Sequence, residues 1–433
     1  MAPYKVLVVD DSAFMRKIFS DLIEKDPSFQ VVDTAVNGRE AVEKALGLKP
    51  DIVTMDVEMP EMNGLEALKL IMAKHPMPVI MLSGINEEGM KETIMALESG
   101  AFDFIRKPSL TYSQHIDQVR DALLEQLKAA MAARERRAAF QAEEKKRKRQ
   151  AGSDRPFVSP ATAIPEPKKT KYEPIKRPEL FSPKPEVPLE RPERRIKAKK
   201  TNPSSPPAVT VEETAVAREY AAAQARTAET DKHPEKRLAF DDLVAIGCST
   251  GGPRALKAVL EKLPADLPAP VVIVQHMPPN FTRSLAQRLN SFSPLEVMEA
   301  EDGMKLRAGC AYVAPGGKHM RVVKEADGGL ALSLSEDQPV NGHRPSVDTL
   351  FESLLPLASL RRHAVLMTGM GSDGAKMMKR LYDSGVKSTF AESEETCVVY
   401  GMPRSAVELD CVSHLLPLHQ IAAGVVRAVS NGK

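Results

Sequence analysis

A chain of 433 residues is too long for one ordinary core, and its 60 basic and 58 acidic residues (net charge +2) offer no electrostatic case for nucleic acid as the main partner. The four cysteines, Cys248, Cys310, Cys397 and Cys411, form no C-x-x-C pair, so neither a zinc site nor a disulfide framework is signalled and a reducing cytoplasm is expected. No apolar run approaches the ~18 to 20 residues that cross a bilayer, so no membrane insertion is expected.

From Tyr4 onward, β-branched runs alternate with helical patterns: "YKVLVV", "SAFMRKIFSDLIEK", "QVVDTAV", "GREAVEKALGL" and "DIVTM". Strand and helix in alternation predict a parallel sheet with covering helices. Acidic or polar residues stand at the carboxyl ends of the strands: Asp10 and Asp11, Asp56, Ser83 and Lys107. In an open parallel sheet those ends share one edge, where ligands bind. Carboxylates crowded there repel one another unless a cation sits among them, and oxygen ligands with room for water suit magnesium and phosphoryl transfer. Taken singly, each residue also fits a helix cap, a turn or a solvated charge; their joint placement is what points to a site.

The segments "VVDDS", "TMDVEMPEMNGLE", "VIMLSG" and "ESGAFDFIRKP" resemble the receiver domain of bacterial response regulators, whose fold is flavodoxin-like. The resemblance implies that Asp56 accepts a phosphoryl group from a chemotaxis sensor histidine kinase. It further implies that Asp10, Asp11, Asp56 and the Glu58 carbonyl surround Mg2+. Ser83, Phe104 and Lys107 stand at the family's switch positions, and the Lys107–Pro108 bond would be cis. The receiver is expected over residues 1–127.

Residues 128–237 are expected to form a charged helical extension and a Pro-rich linker. Between Pro156 and Pro207 stand 13 prolines interleaved with Lys, Arg, Glu and Ser, a composition too polar to offset the entropy of ordering. A helical patch is expected around "VEETAVAREYAAAQART". The linker is longer than the family resemblance implies.

A second, doubly wound α/β unit is expected over 238–433, with strands at "DDLVAIG", "APVVIVQ", "CAYVAP", "HAVLMT" and "KSTFA". Within "AIGCSTGGPRAL", Gly247, Ser249 and Gly251 match G-x-S-x-G, in which a tight turn exposes a serine hydroxyl. His276 follows "VVIVQ" and Asp373 follows "HAVLMT", so Ser, His and Asp share one sheet edge. A serine is inert at its own pKa; it needs a base, and the base needs a carboxylate to fix its tautomer. The loop "GMGSDG" also spells G-x-G-x-x-G, with Glu394 twenty residues past its last glycine, where a dinucleotide site would place a ribose-binding acid. That reading sets Asp373 against a pyrophosphate and leaves Ser249 and His276 unexplained. Under the triad reading, the backbone N–H groups of Met370 and Thr250 are candidate oxyanion donors. His343, Ser346 and Asp348 form a rival set, but one short loop would have to converge all three side chains. Cys248 has no basic neighbour in sequence and reads as packing.

The segments "AIGCSTGGP", "QHMPPNFT", "YVAPGGKHM", "GHRPSVDTLF" and "MTGMGSDGA" resemble the catalytic domain of the chemotaxis receptor methylesterases. The resemblance implies a cytoplasmic esterase that needs no cofactor for hydrolysis. Its substrates would be glutamyl methyl esters, and in some members glutamines, on methyl-accepting chemotaxis receptors. Ser249 would be the nucleophile, His276 the base and Asp373 the orienting acid.

Overall fold

In a computed structural model of the chain, the described residues are 2–84, 86–108, 114–153, 240–326, 328–386 and 388–430. The expected linker and its helical patch lie outside them.

The N-terminal part alternates β1 (Tyr4–Val9), α1 (Ala13–Ile23), β2 (Phe29–Ala35), α2 (Gly38–Leu48), β3 (Ile52–Asp56), α3 (Gly64–Lys74), β4 (Val79–Ser83), α4 (Glu87–Glu98), β5 (Asp103–Arg106) and α5 (Gln114–Ser153). Local chemistry explains the helix starts. Ser12 accepts a hydrogen bond from Met15 N–H, Asn37 from Glu40 N–H, and Asn63 and Glu66 form a reciprocal capping box. The sheet is parallel in the order β2-β1-β3-β4-β5. The chain reverses direction across the sheet at β1 and β3, which brings Asp10 and Asp56 to the switch point where open sheets bind ligands. Helix α5 runs on for 40 residues, through the expected charged extension, and Arg134 ties it to Asp51 at 2.6 Å.

The C-terminal part contains β6 (Asp242–Cys248), α6 (Gly252–Leu260), β7 (Val271–Gln275), α7 (Phe281–Asn290), β8 (Glu296–Glu299), β9 (Cys310–Val313), β10 (His319–Lys324) and β11 (Leu330–Ser335). It continues through α8 (Val347–Ser353), β12 (Arg361–Leu366), α9 (Ala375–Asp383), β13 (Ser388–Glu392), α10 (Met402–Glu408), β14 (His414–Leu416) and α11 (Leu418–Ser430). Seven parallel strands lie in the order β14-β13-β12-β6-β7-β9-β8, and β10 pairs with β11 as an antiparallel hairpin. Successive residues of β6 feed opposite faces: Val244 and Ile246 join one apolar core, Leu243 and Ala245 the other. This two-sided burial makes the strand a continuous apolar run. Strand β6 lies between β7 and β12, so the loops after these three strands meet at the second switch point. Those loops carry His276, Ser249 and Asp373.

Candidate active site

Ser249 leaves β6 where Cys248 pairs with Gln275, and His276 N–H bonds to the Cys248 carbonyl at 3.1 Å. The turn is held from several sides. Ser249 N–H donates to the Thr368 carbonyl at 3.0 Å, and Gln275 Nε2 donates to the Ser249 carbonyl at 3.0 Å and the His276 carbonyl at 3.1 Å. Gly251 takes φ +80°, a left-handed conformation that favours glycine, and opens α6 with Pro253 in its first turn.

His276 Nε2 lies 2.8 Å from Asp373 Oδ2. Asp373 is almost fully buried and also accepts from Asn341 Nδ2 at 2.8 Å, Ser346 Oγ at 2.8 Å, Val347 N–H at 2.6 Å and Asp348 N–H at 3.2 Å. Burial pushes this carboxyl up, but the contacts with His276, Asn341 and Val347 outweigh it and hold it well below the usual carboxylate range. With Nε2 engaged, His276 Nδ1 is buried without a partner among the described residues and is the nitrogen left for a serine proton. No hydrogen bond joins Ser249 Oγ to His276 in this arrangement; such contacts often tighten only when substrate is present.

The loop "GMGSDG" has a packing reason for its first glycine. A Cβ on Gly369 would lie 2.9 Å from Ser249 Cβ and 2.3 Å from Met402 Sδ, so only glycine lets the loop approach the serine. The dinucleotide reading fails at the helix that follows. Asp348 Oδ1 accepts from Gly374 N–H and Met377 N–H, both at 3.1 Å, so a carboxylate already caps the α9 N-terminus where a pyrophosphate would bind. The backbone N–H groups of Thr250 and Met370 have no protein acceptor among the described residues and stand on the loops that flank Ser249. Cys248 is fully buried, and burial drives its thiol far above the ordinary range, away from the nucleophilic thiolate.

The rival set does not form a second centre. Ser346 and Asp348 hold Asp373, and His343 stacks on His276 with ring centroids 3.8 Å apart and planes 9° from parallel. Burial and the neighbouring His276 push His343 down to about 4. Sequence reasoning did not find Asn341, Gln275 or Thr368 as supports. Thr368 Oγ1 donates to the Thr250 carbonyl and accepts from Val398 and Val399 N–H, which stitches three loops together.

In the N-terminal part, Asp10, Asp11 and Asp56 can bring one carboxylate oxygen each to within 4.8 Å of the others. Asp11 and Asp56 border a cleft of about 460 Å³ that Glu58, Met59, Gly84 and Lys107 also line. Lys107 Nζ lies 2.7 Å from both Asp10 and Asp56. Burial pushes the Asp56 carboxyl up to about 6, with Asp10 adding to the rise against the opposite pull of Lys107. Ser83 Oγ is 2.7 Å from Thr93 Oγ1 and so is turned toward α4. The Lys107–Pro108 bond is not cis; the cis bond among the described residues is Arg344–Pro345. Trans before proline is favoured by only about 0.5–1 kcal/mol, and Lys107 reaches both carboxylates without the cis bond.

The two sites are joined through packed side chains. Phe104 stacks on Phe281 with centroids 4.6 Å apart, Arg288 forms a forked pair with Glu98 at 3.1 Å, and Thr250 Oγ1 donates to Asp103. Met370, Val398 and Val399 pack into the same apolar cluster as Leu123, Leu127 and Met131 of α5.

The profile of the CheB methylesterase family matches residues 244–425, and that of the response regulator receiver domain matches residues 6–118. A protein-glutamate methylesterase/protein-glutamine glutaminase of Geobacillus kaustophilus is 42% identical over 429 residues, 99% of this chain and 99% of its own length. This chain belongs to the CheB methylesterase family. A CheB relative with the same name from Bacillus subtilis is 40% identical over 98% of both chains. The crystal structure of the Thermotoga maritima CheB methylesterase catalytic domain, 40% identical, matches 44% of this chain and 99% of that one at a TM-score of 0.42. Because these CheB relatives match end to end, the long segment between the domains is no departure from them, contrary to the sequence-based expectation. Among the described residues no helix is long and apolar enough to cross a membrane.

Proposed function

We propose that this chain hydrolyses glutamyl methyl esters on the cytoplasmic helices of chemoreceptors, with Ser249, His276 and Asp373 as the catalytic triad and the receiver as its regulator. The observation that carries this reading is the His276–Asp373 pair beside Ser249 at one switch point, with Nδ1 of the imidazole left unpartnered.

In the reaction, Ser249 Oγ attacks the ester carbonyl while His276 Nδ1 takes its proton, and Asp373 holds Nε2–H and balances the imidazolium. The tetrahedral oxyanion is received by the N–H groups of Thr250 and Met370. The C–O bond to the methoxy group breaks, and His276 returns the proton so that methanol leaves. Water then attacks the acyl-enzyme, giving its proton to Nδ1; the ester bond to Ser249 breaks, and Oγ regains a proton. Glutamine deamidation follows the same sequence with ammonia as the leaving group.

The donor set of Asp10, Asp11, Asp56 and the Glu58 carbonyl suits a magnesium ion, since all are hard oxygens beside a cleft with room for water. When bound, the ion would neutralise charge on the phosphoryl group. Asp56 is the phosphoacceptor for a sensor histidine kinase, Lys107 is placed to hold a phosphoryl oxygen, and Ser83 turns from Thr93 toward the new group. Phe104, seated on Phe281, and Met370, packed against an apolar cluster to which α5 contributes, support a resting state in which the receiver closes the esterase cleft. Phosphorylation opens it; a tenfold activation needs a differential of only ~1.4 kcal/mol between the two arrangements. Methanol release from a methylated receptor, measured with and without a small phosphodonor, tests the reading: release should rise with the donor and should not rise in Asp56→Asn.

A further inference from the structure

We infer that His343 is a positioning residue for the hydrolysis, a flat ring that fixes the plane of the His276 imidazole; the inference rests on the triad reading above. It follows from which nitrogen faces which partner. In His276 the atom bonded to Asp373 is Nε2. The axis of rotation about Cβ–Cγ leaves the ring between Cε1 and Nε2, so Nε2 lies nearer to it than Nδ1, whose lone pair points almost at right angles to it. A turn of the ring therefore shifts the Asp373 bond less than it swings the Nδ1 lone pair. The Asp373 hydrogen bond alone is a weak restraint on the direction of the working nitrogen. A ring stacked at 3.8 Å and 9° resists that rotation, because turning His276 drives its edge into the neighbouring face.

The platform is itself rigid. Val340 and His343 exchange both backbone hydrogen bonds, at 3.0 and 2.9 Å, around Asn341 (φ +53°) and Gly342 (φ +80°), a tight two-residue hairpin. Asn341 Nδ2 anchors that hairpin to Asp348 and Asp373 at 2.8 Å each. One short segment therefore sets the position of the acid and the plane of the base.

The test compares His343→Ala, His343→Phe and His343→Leu in the full-length, phosphodonor-treated chain, with methanol release from a methylated receptor as readout. His343→Ala should lower kcat by roughly 10- to 100-fold with KM nearly unchanged, as a misplaced catalytic group does. His343→Phe should recover most of that loss, since planarity is what counts, while His343→Leu, of similar bulk without a flat face, should not. The Phe and Leu pair decides the matter even if the Ala variant fails to fold, as judged by thermal unfolding. Equal activity of the Phe and Leu variants, or an effect confined to KM, overturns the inference. Its failure is separable from that of the triad: Ser249→Ala that keeps releasing methanol sinks the triad, whereas inactive Ser249→Ala beside fully active His343→Ala sinks only the platform.

Discussion

Thr250 donates its hydroxyl proton to Asp103, a single hydrogen bond that joins the residue after the candidate nucleophile to the residue before the receiver's Phe104. Asp103 also accepts from Phe104 N–H at 2.9 Å. The two groups proposed to matter most, the switch aromatic and the nucleophile turn, thus share one carboxylate. A movement of Phe104 that carries its backbone N–H along would disturb this carboxylate as well.

That carboxylate should make the proposed closure depend on pH. Burial at the interface pushes Asp103 up to about 6, against the hydrogen bonds from Thr250 and Phe104. An exposed Asp103 in the open state titrates near the ordinary value of 3.8. Between those values the closed state binds more protons, so lowering the pH through about 6 favours closure. Raising it through the same window weakens closure, and above about 6 the cost of the buried charge is complete. Energy transfer between dyes on the two domains should report more closed protein at pH 5 than at pH 7, and Asp103→Asn should flatten the dependence. A wild-type response of the opposite sign would count against the closed state described.

Phe104→Ala should raise basal methanol release in unphosphorylated protein. The stacked pair is worth about 0.5–1.5 kcal/mol beyond its buried area, so a gain on the order of 5-fold is expected. Phosphodonor should then add little. Unchanged basal activity would mean that the Phe104–Phe281 contact does not hold the closed state.

Asp373→Asn should be far more damaging than its small change in size suggests. The carboxylate accepts from His276, Asn341, Ser346, Val347 and Asp348, and an amide NH2 would confront at least one of those donors. It would also favour the wrong imidazole tautomer, which costs ~10⁴ in kcat in the serine protease case. Steady-state kcat is the measurement, and a loss of less than tenfold would argue against Asp373 as the orienting acid.

Chelation of divalent cations should abolish phosphorylation of Asp56 by a small phosphodonor while leaving the basal esterase rate in place. Phosphoprotein yield and methanol release, measured on the same samples, separate the two effects. A parallel loss of basal hydrolysis would place a metal in the esterase chemistry, contrary to the triad.

Much of the site was legible because strand ends are legible. Apolar runs such as "YKVLVV" and "HAVLMT" mark buried strands, and a parallel sheet must bring their carboxyl ends together, so Asp10, Asp56, Ser249, His276 and Asp373 could be placed without coordinates. The shorter pieces were not marked: β8, β14 and the β10–β11 hairpin have too little apolar periodicity or lie at an edge. Supports were the least visible. Asn341 reaches Asp373 across 32 positions of sequence, and Asp103 reaches Thr250 across 147, contacts that only the folded chain creates. One signal was present and unused: "VNGH" has the Asn-Gly pair of a tight hairpin, and such a turn does converge side chains within a few residues. That convergence serves the proposed triad from outside it.

The most direct test of the account is methanol release from a methylated receptor by the full-length chain beside its Ser249→Ala variant, with phosphorylation of Asp56 followed in both. The account predicts that Ser249→Ala releases no methanol above background yet takes phosphate at Asp56 as the parent does, because only the attacking oxygen is gone. Methanol release by Ser249→Ala at near the parent rate would contradict it.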